Sequence, residues 1–105
     1  MEMNQLNSSY IGAEYTMSII SGKWKPLIIY HLRQGTKRYG QIKRLVPDAS
    51  PKVLIQQLKE LEHDGIINRK SYPEVPPKVE YSVTAKGRSL YPVLDLLWFW
   101  SHQKL

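Results

Sequence analysis

At 105 residues the chain is long enough for one domain with one core. Hydrophobic residues make up 42% and charged residues 23%, close to globular averages, which excludes low-complexity disorder, collagen and repeat arrays. The chain has no cysteine, so disulfides, thiolate catalysis and cysteine–zinc centres are excluded, and a reducing cytoplasmic setting is expected. The formal net charge is +6, unevenly spread. Residues 1–22 carry only Glu2 and Glu14, whereas residues 23–52 carry eight basic side chains against Asp48 alone. Residues 53–105 nearly balance. A basic stretch of this kind attracts a polyanion, with nucleic acid the leading candidate and a solvated surface the plain alternative. No apolar run reaches the ~18–20 residues of a membrane helix. The start, Met1 to Gln5, lacks the features of a secretory signal, so neither a membrane nor an exported protein is expected.

In chain order, residues 1–12 are polar and aperiodic and are expected to form a flexible arm ahead of a folded domain over residues 13–105. A short helix is expected from Ala13 to Ile20, stopped by Gly22. A second runs from Trp24 to Gln34, with Pro26 in its first turn and Gly35 at its end. Thr36-Lys37-Arg38 reads as a polar turn. A third, short helix covers Tyr39 to Val46, with Ile42, Leu45 and Val46 spaced for burial. Ser50-Pro51 is the sharpest local signal, because serine accepts the unpaired N–H groups of a helix start and proline suits its first position. The fourth helix then extends to about Asp64 and stops at Gly65, with Leu54, Leu58 and Leu61 forming one buried stripe.

Past Gly65 the period changes. Ile66–Tyr72 and Val79–Val83 read as strands, joined by a tip stiffened by Pro73, Pro76 and Pro77. Thr84 caps a last helix over Ala85 to His102, with Gly87 and Pro92 as weak points, the proline bending it or separating a first turn. The expected class is mainly α with a small β-hairpin: a winged helix-turn-helix of five helices and a two-stranded wing.

Four constellations follow. In a helix-turn-helix the second helix enters the major groove and reads base edges. Ser50, Lys52, Ile55, Gln56 and Lys59 lie on the leucine-free side of the fourth helix and are the candidate base contacts. Gln can pair two ways with adenine, Lys reaches guanine or phosphate, Ile can touch a thymine methyl, and the capped helix start favours phosphate. Lys37, Arg38, Lys43 and Arg44 are assigned to the phosphate backbone. Arg69, Lys70 and Lys78 surround the wing tip and can reach a minor groove or phosphate, with Glu74 and Glu80 diluting the charge. Finally, Leu96-Leu97-Trp98-Phe99-Trp100 points apolar side chains around more than one helix face, a surplus that marks an interface. Two-fold reading of DNA half-sites requires a dimer, assigned to Tyr15, Ile19, Leu94, Leu97, Trp98 and Trp100 on the first and last helices.

Enzyme chemistry is hard to find. His31, His63 and His102 stand alone, no glycine-rich phosphate loop occurs, and neither a metal nor a cofactor is expected.

These residues resemble the HxlR family of bacterial transcription regulators, a branch close to the MarR-type winged helices. The resemblance runs from Ile20 to about Trp100. It rests on Ser21-Gly22-Lys23-Trp24, Arg38-Tyr39, Ser50 to Leu58, Leu61 to Gly65, the wing string Tyr72 to Tyr81, and Thr84 to Gly87. It implies homodimers that bind operator DNA, with dimer contacts from the first and last helices. Many relatives carry a sensing cysteine followed by proline at the place where Ile11-Gly12 stand here, so that switch is absent from this chain. The reading is a homodimeric, sequence-specific, double-stranded DNA-binding regulator acting on a near-palindromic operator, its small-molecule effector unassigned. The alternatives are a winged-helix protein-interaction module without specific DNA binding, and a single-strand or RNA binder. The second needs aromatics beside the basic groove, and here they gather at the C-terminus.

Overall fold

The structure, a computed structural model, describes the backbone of residues 3–103 and the side chains of residues 12–103. The elements are α1 (Met3–Ile20), α2 (Lys25–Arg33), β1 (Lys37–Arg38), α3 (Tyr39–Leu45), α4 (Pro51–His63), β2 (Ile67–Tyr72), β3 (Lys78–Val83), α5 (Ala85–Arg88) and α6 (Tyr91–Ser101). The strands form one antiparallel sheet in the order β1-β3-β2. Helices α2 to α4 pack with the sheet around a core that includes Ile28, Ile29, Ile42, Leu54, Leu58, Leu61, Ile66 and Ile67. This is the winged helix-turn-helix expected from the sequence.

Local chemistry sets the boundaries of α4. The Ser50 hydroxyl accepts the Val53 N–H at 3.2 Å, and Pro51 occupies the first turn, where no N–H is needed. At the other end Gly65 takes φ +74°, a conformation open to glycine at little cost. The Gly65 N–H then reaches the Glu62 carbonyl at 3.0 Å and the Ile66 N–H reaches the Leu61 carbonyl at 2.9 Å. These two bonds satisfy carbonyls that the helix end would leave unpaired, and buried Ile66 closes over buried Leu61.

The wing grows from that end. Strands β2 and β3 pair from Ile67 opposite Val83 to Tyr72 opposite Lys78. Thr84, which follows β3, donates its hydroxyl to the Gly65 carbonyl at 2.6 Å and accepts the Gly87 N–H at 2.9 Å. Gly87 is buried, and a Cβ there would fall 2.2 Å from the Ile66 carbonyl oxygen. What the sequence presents as a weak helical position is a close approach of two backbones.

The structure corrects the sequence reading in five places. First, the backbone is helical from Met3, not Ala13. Residues 3–11 hold no proline or glycine, and the absence of an apolar stripe argued only against burial. Met1 and Glu2 lie outside the described residues. Second, Lys37-Arg38 is a strand, not a turn, because the outer edge of β3 accepts it: Lys37 lies opposite Tyr81 and Arg38 opposite Glu80. The wing is therefore part of a three-stranded sheet. Third, the last helix divides into α5 and α6, with Ser89-Leu90 between them and Pro92 in the first turn of α6, one of the two outcomes the proline allowed. Fourth, Leu45 is exposed while Ile42 and Val46 are buried; on so short a helix the i, i+4 pair defines the inner edge. Fifth, Ile19, assigned to the dimer interface, is 4% exposed and belongs to the core of its own chain. Ile19 and Ile20, in the last turn of α1, pack onto the domain, while Met17 and Ser18 of the same turn stay exposed.

Candidate nucleic-acid interface

The leucine stripe fixes how α4 sits. Leu54, Leu58 and Leu61 are buried, so the opposite side must face outward. Ser50, Lys52, Ile55, Gln56 and Lys59 are all exposed, as the base-reading assignment requires. Ile55, 41% exposed, is an apolar side chain held out in a polar row. Gln56 donates its Nε2 to the Glu60 Oε1 at 3.3 Å. Ser50 spends its hydroxyl as an acceptor on the helix cap, which ties its role to the geometry of the helix start.

The flanking cations are not equivalent. Arg38 and Arg44 are exposed, whereas Lys37 and Lys43 are half-buried. Arg38 immediately precedes α3, and its N–H donates to Gln41 Oε1 at 2.8 Å, which secures the first turn. Lys43 donates its ammonium to the Pro47 carbonyl at 3.0 Å and so braces the turn between α3 and α4. An ammonium has three donors, so Lys43 keeps two after this bond.

The three wing cations divide between the two faces of the sheet. Residues directly opposite in an antiparallel pair share a face. Arg69 shares one with Lys37 through Tyr81, and Lys70 shares the other with Arg38 through Glu80. Lys78 stands on the face of Lys70. It pairs with Glu80 at 2.8 Å, and hydrogen bonding to that carboxylate raises its pKa. Lys70 and Lys78 also lie 5.0 and 4.7 Å from the Tyr72 ring centroid. Arg69 and Lys70 are exposed, while Lys78 is half-buried and already partnered.

A further group escaped the sequence reading. Lys25, counted in the basic stretch, is 4% exposed, and its Nζ lies 2.5 Å from Glu60 Oε2. Its charge is spent inside the protein, so the cationic surface is weaker than the residue count implies. Beside it, buried Gln57 accepts the Trp24 N–H at 2.9 Å. Gly22 leaves room for both, since a Cβ there would meet Gln57 Oε1 and the Lys25 chain at 2.9 Å. The only trace of this in the sequence is Gln57 interrupting the polar side of the helix next to the leucine stripe.

The C-terminal aromatics are largely exposed, although the Trp98 ring packs on His102 at 4.2 Å between centroids. No residue of α6 is buried, and Leu96, Leu97, Trp98, Phe99 and Trp100 are all large exposed side chains. Leu94 is half-buried against the core. A groove of about 1080 Å³ between α2 and α6 is lined by Leu27, Tyr30, Leu97 and Trp98 among others. Tyr15 of α1 is exposed, and its hydroxyl receives the Lys86 ammonium at 3.1 Å. Arg33 of α2 ties α6 down by an ion pair with Asp95 at 2.7 Å. Among the described residues no cluster of potential metal ligands occurs, and no helix is long and apolar enough to cross a membrane.

Comparison with known proteins agrees with this geometry. Residues 19–105 match the family described as HxlR-like helix-turn-helix. The chain is 50% identical over 100 residues to the uncharacterized HTH-type transcriptional regulator YtcD of Bacillus subtilis, covering 95% of this chain and 77% of that protein. Among solved structures, the redox regulator HypR in its oxidized form superposes with a TM-score of 0.81 at 42% identity, covering 90% of this chain and 99% of that one. The reduced form of the transcriptional regulator YodB from B. subtilis superposes with a TM-score of 0.74 at 35% identity, covering 98% and 94%. With a winged helix-turn-helix whose second helix turns a polar, basic side outward, the chain belongs to the HxlR family of DNA-binding transcription regulators, which are not enzymes.

Proposed function

We propose that the chain acts as a cytoplasmic homodimer that recognises a near-palindromic operator. In this reading α4 lies in the major groove, with Lys52, Ile55, Gln56 and Lys59 at base edges and Ser50 at the phosphate-facing helix start. Arg38 and Arg44, with Lys37 and Lys43 behind them, hold the sugar–phosphate backbone. Arg69 and Lys70 reach the flanking duplex from the wing, and Lys78 contributes less because Glu80 holds it. The observation that carries the reading is the two-sidedness of α4: its leucines are wholly buried while every candidate base contact is exposed.

The dimer half of the proposal rests on α6. Trp98 and Trp100 are 64% and 66% exposed, and an apolar surface of this kind is stabilised by burial against a second copy. Tyr15, Leu94 and Leu97 complete the interface; Ile19 does not. Two copies related by a two-fold axis would place their α4 helices about one helical turn apart, ~34–36 Å, or a multiple of it. The test is selection of duplexes from a randomised pool, followed by competition with bulk genomic DNA at matched salt. An enriched inverted repeat with half-sites at that spacing supports the proposal. Binding to all sequences alike, or to none, overturns it, the latter favouring a protein-interaction role for the winged fold.

A further inference from the structure

We propose that Glu60, anchored by the buried Lys25, is a positioning residue that fixes the orientation of the Gln56 amide on the outward face of α4. The inference rests on the reading of α4 as the base-contacting helix and assigns what makes one of its contacts selective.

Gln56 and Glu60 are one turn apart, so their side chains meet on the helix surface. Glu60 as a carboxylate offers only acceptors, so the group of Gln56 that approaches it at 3.3 Å must be the amide nitrogen. That contact uses one of the two N–H bonds. The second N–H and the carbonyl oxygen remain, side by side, to project outward. One donor beside one acceptor is the set that matches N7 and the N6 amino group of adenine. An unrestrained glutamine amide can rotate by half a turn and exchange donor for acceptor, which blurs the choice of base. A fixed acceptor behind it removes that freedom.

Glu60 can serve as a fixed acceptor because its other oxygen is held. Glu60 Oε2 lies 2.5 Å from the Lys25 Nζ, and the Lys25 side chain is only 5% exposed. Lys25 is the first residue of α2, and the preceding Trp24 N–H is bonded to Gln57, next to Gln56 in α4. The start of α2 thus grips α4 at residues 57 and 60, directly behind Gln56. The same pairing answers an electrostatic problem. A bare carboxylate one turn from a DNA-reading side chain would repel phosphates, and the buried ammonium cancels it. The hydrogen bond to Lys25 lowers the Glu60 pKa because it favours the ionised form, the one that only accepts.

The experiment uses the duplex that the wild-type chain enriches from a randomised pool, and variants of it with single base pairs exchanged. Affinities are measured for wild type, Glu60→Ala, Gln56→Ala and the double variant, with thermal melting to confirm folding. Glu60→Ala is expected to lose about threefold to tenfold in discrimination, confined to the base pairs that Gln56→Ala also relaxes. In the Gln56→Ala background it is expected to change discrimination no further. Lys25→Met should give the same confined loss; if it fails to fold, Glu60→Ala still decides. Discrimination retained in Glu60→Ala overturns the inference, as does an equal loss in both backgrounds, which would mark Glu60 as a structural brace only. If the wild type enriches no duplex, the reading of α4 itself fails before any variant is compared, and the inference falls with it.

Discussion

Arg38→Ala offers a quantitative check on how the cationic surface meets DNA. Arg38 is exposed at the junction of β1 and α3, and the cap bond from its backbone N–H to Gln41 is one that Arg38→Ala keeps. If Lys37, Arg38, Lys43 and Arg44 each neutralise one phosphate in both copies of a dimer, about eight phosphates are engaged, and log K falls against log salt with a slope of about −7. Arg38→Ala removes two of these and brings the slope to about −5.4. Between 50 and 200 mM salt the wild type would then lose about 10⁴-fold in affinity and the variant about 10³-fold. The loss should be the same on preferred and random duplexes, because a phosphate contact carries no sequence information. The assay is a salt titration by fluorescence anisotropy on both duplexes. Lys25 lies in the same basic stretch but is buried against Glu60. Combining Lys25→Gln with Glu60→Gln should therefore leave the slope unchanged. A slope for Arg38→Ala equal to that of wild type would refute the phosphate assignment, and a slope lowered by the Lys25–Glu60 double variant would refute the charge accounting.

Three other outcomes follow from the packing. Gly87→Ala forces a methyl to within 2.2 Å of the Ile66 carbonyl oxygen, and the backbone shift it demands should cost about 2–3 kcal/mol, seen as a melting temperature lower by about 10 °C or more. Replacing Trp98 and Trp100 with Asp should give a folded monomer in sedimentation velocity, since neither side chain is buried in its own chain; a persistent dimer would place the interface elsewhere. The Glu60 carboxyl should titrate below an ordinary glutamate, because Lys25 hydrogen-bonds its charged form. A depressed carboxylate pKa means that the pair's support is present above the ordinary value and is lost as pH falls through the lowered one. Carboxyl-resolved NMR in Lys25→Met should show the midpoint moving up; an unmoved midpoint would deny the ion pair in solution.

Helix α4 was legible in the sequence because its signals are local. Ser50-Pro51 starts it, Gly65 ends it, and the leucine spacing leaves one side for solvent. The hairpin was legible from alternation between Val79 and Val83. What escaped depends on partners far along the chain. Lys37-Arg38 becomes a strand only because β3 presents an edge more than 40 residues later. Lys25 is buried only because Glu60, 35 residues on, supplies a counter-charge, and no periodicity encodes that pair. The misplacement of Ile19 has a similar origin. Tyr15 and Ile19 lie one turn apart and share an apolar character, but only the docking of α1's last turn decides which faces inward.

Thr84 has a consequence for control. A single hydroxyl bonds the carbonyl that closes α4 and the N–H that opens α5, while the Thr84 N–H bonds the Ile66 carbonyl at 3.0 Å. Helix α4 and the hairpin are therefore welded at their shared root and cannot swivel against each other without breaking that joint. If two copies grip DNA together as proposed, each is a stiff two-pronged head, and a signal that loosens the grip would have to act on the gap between them.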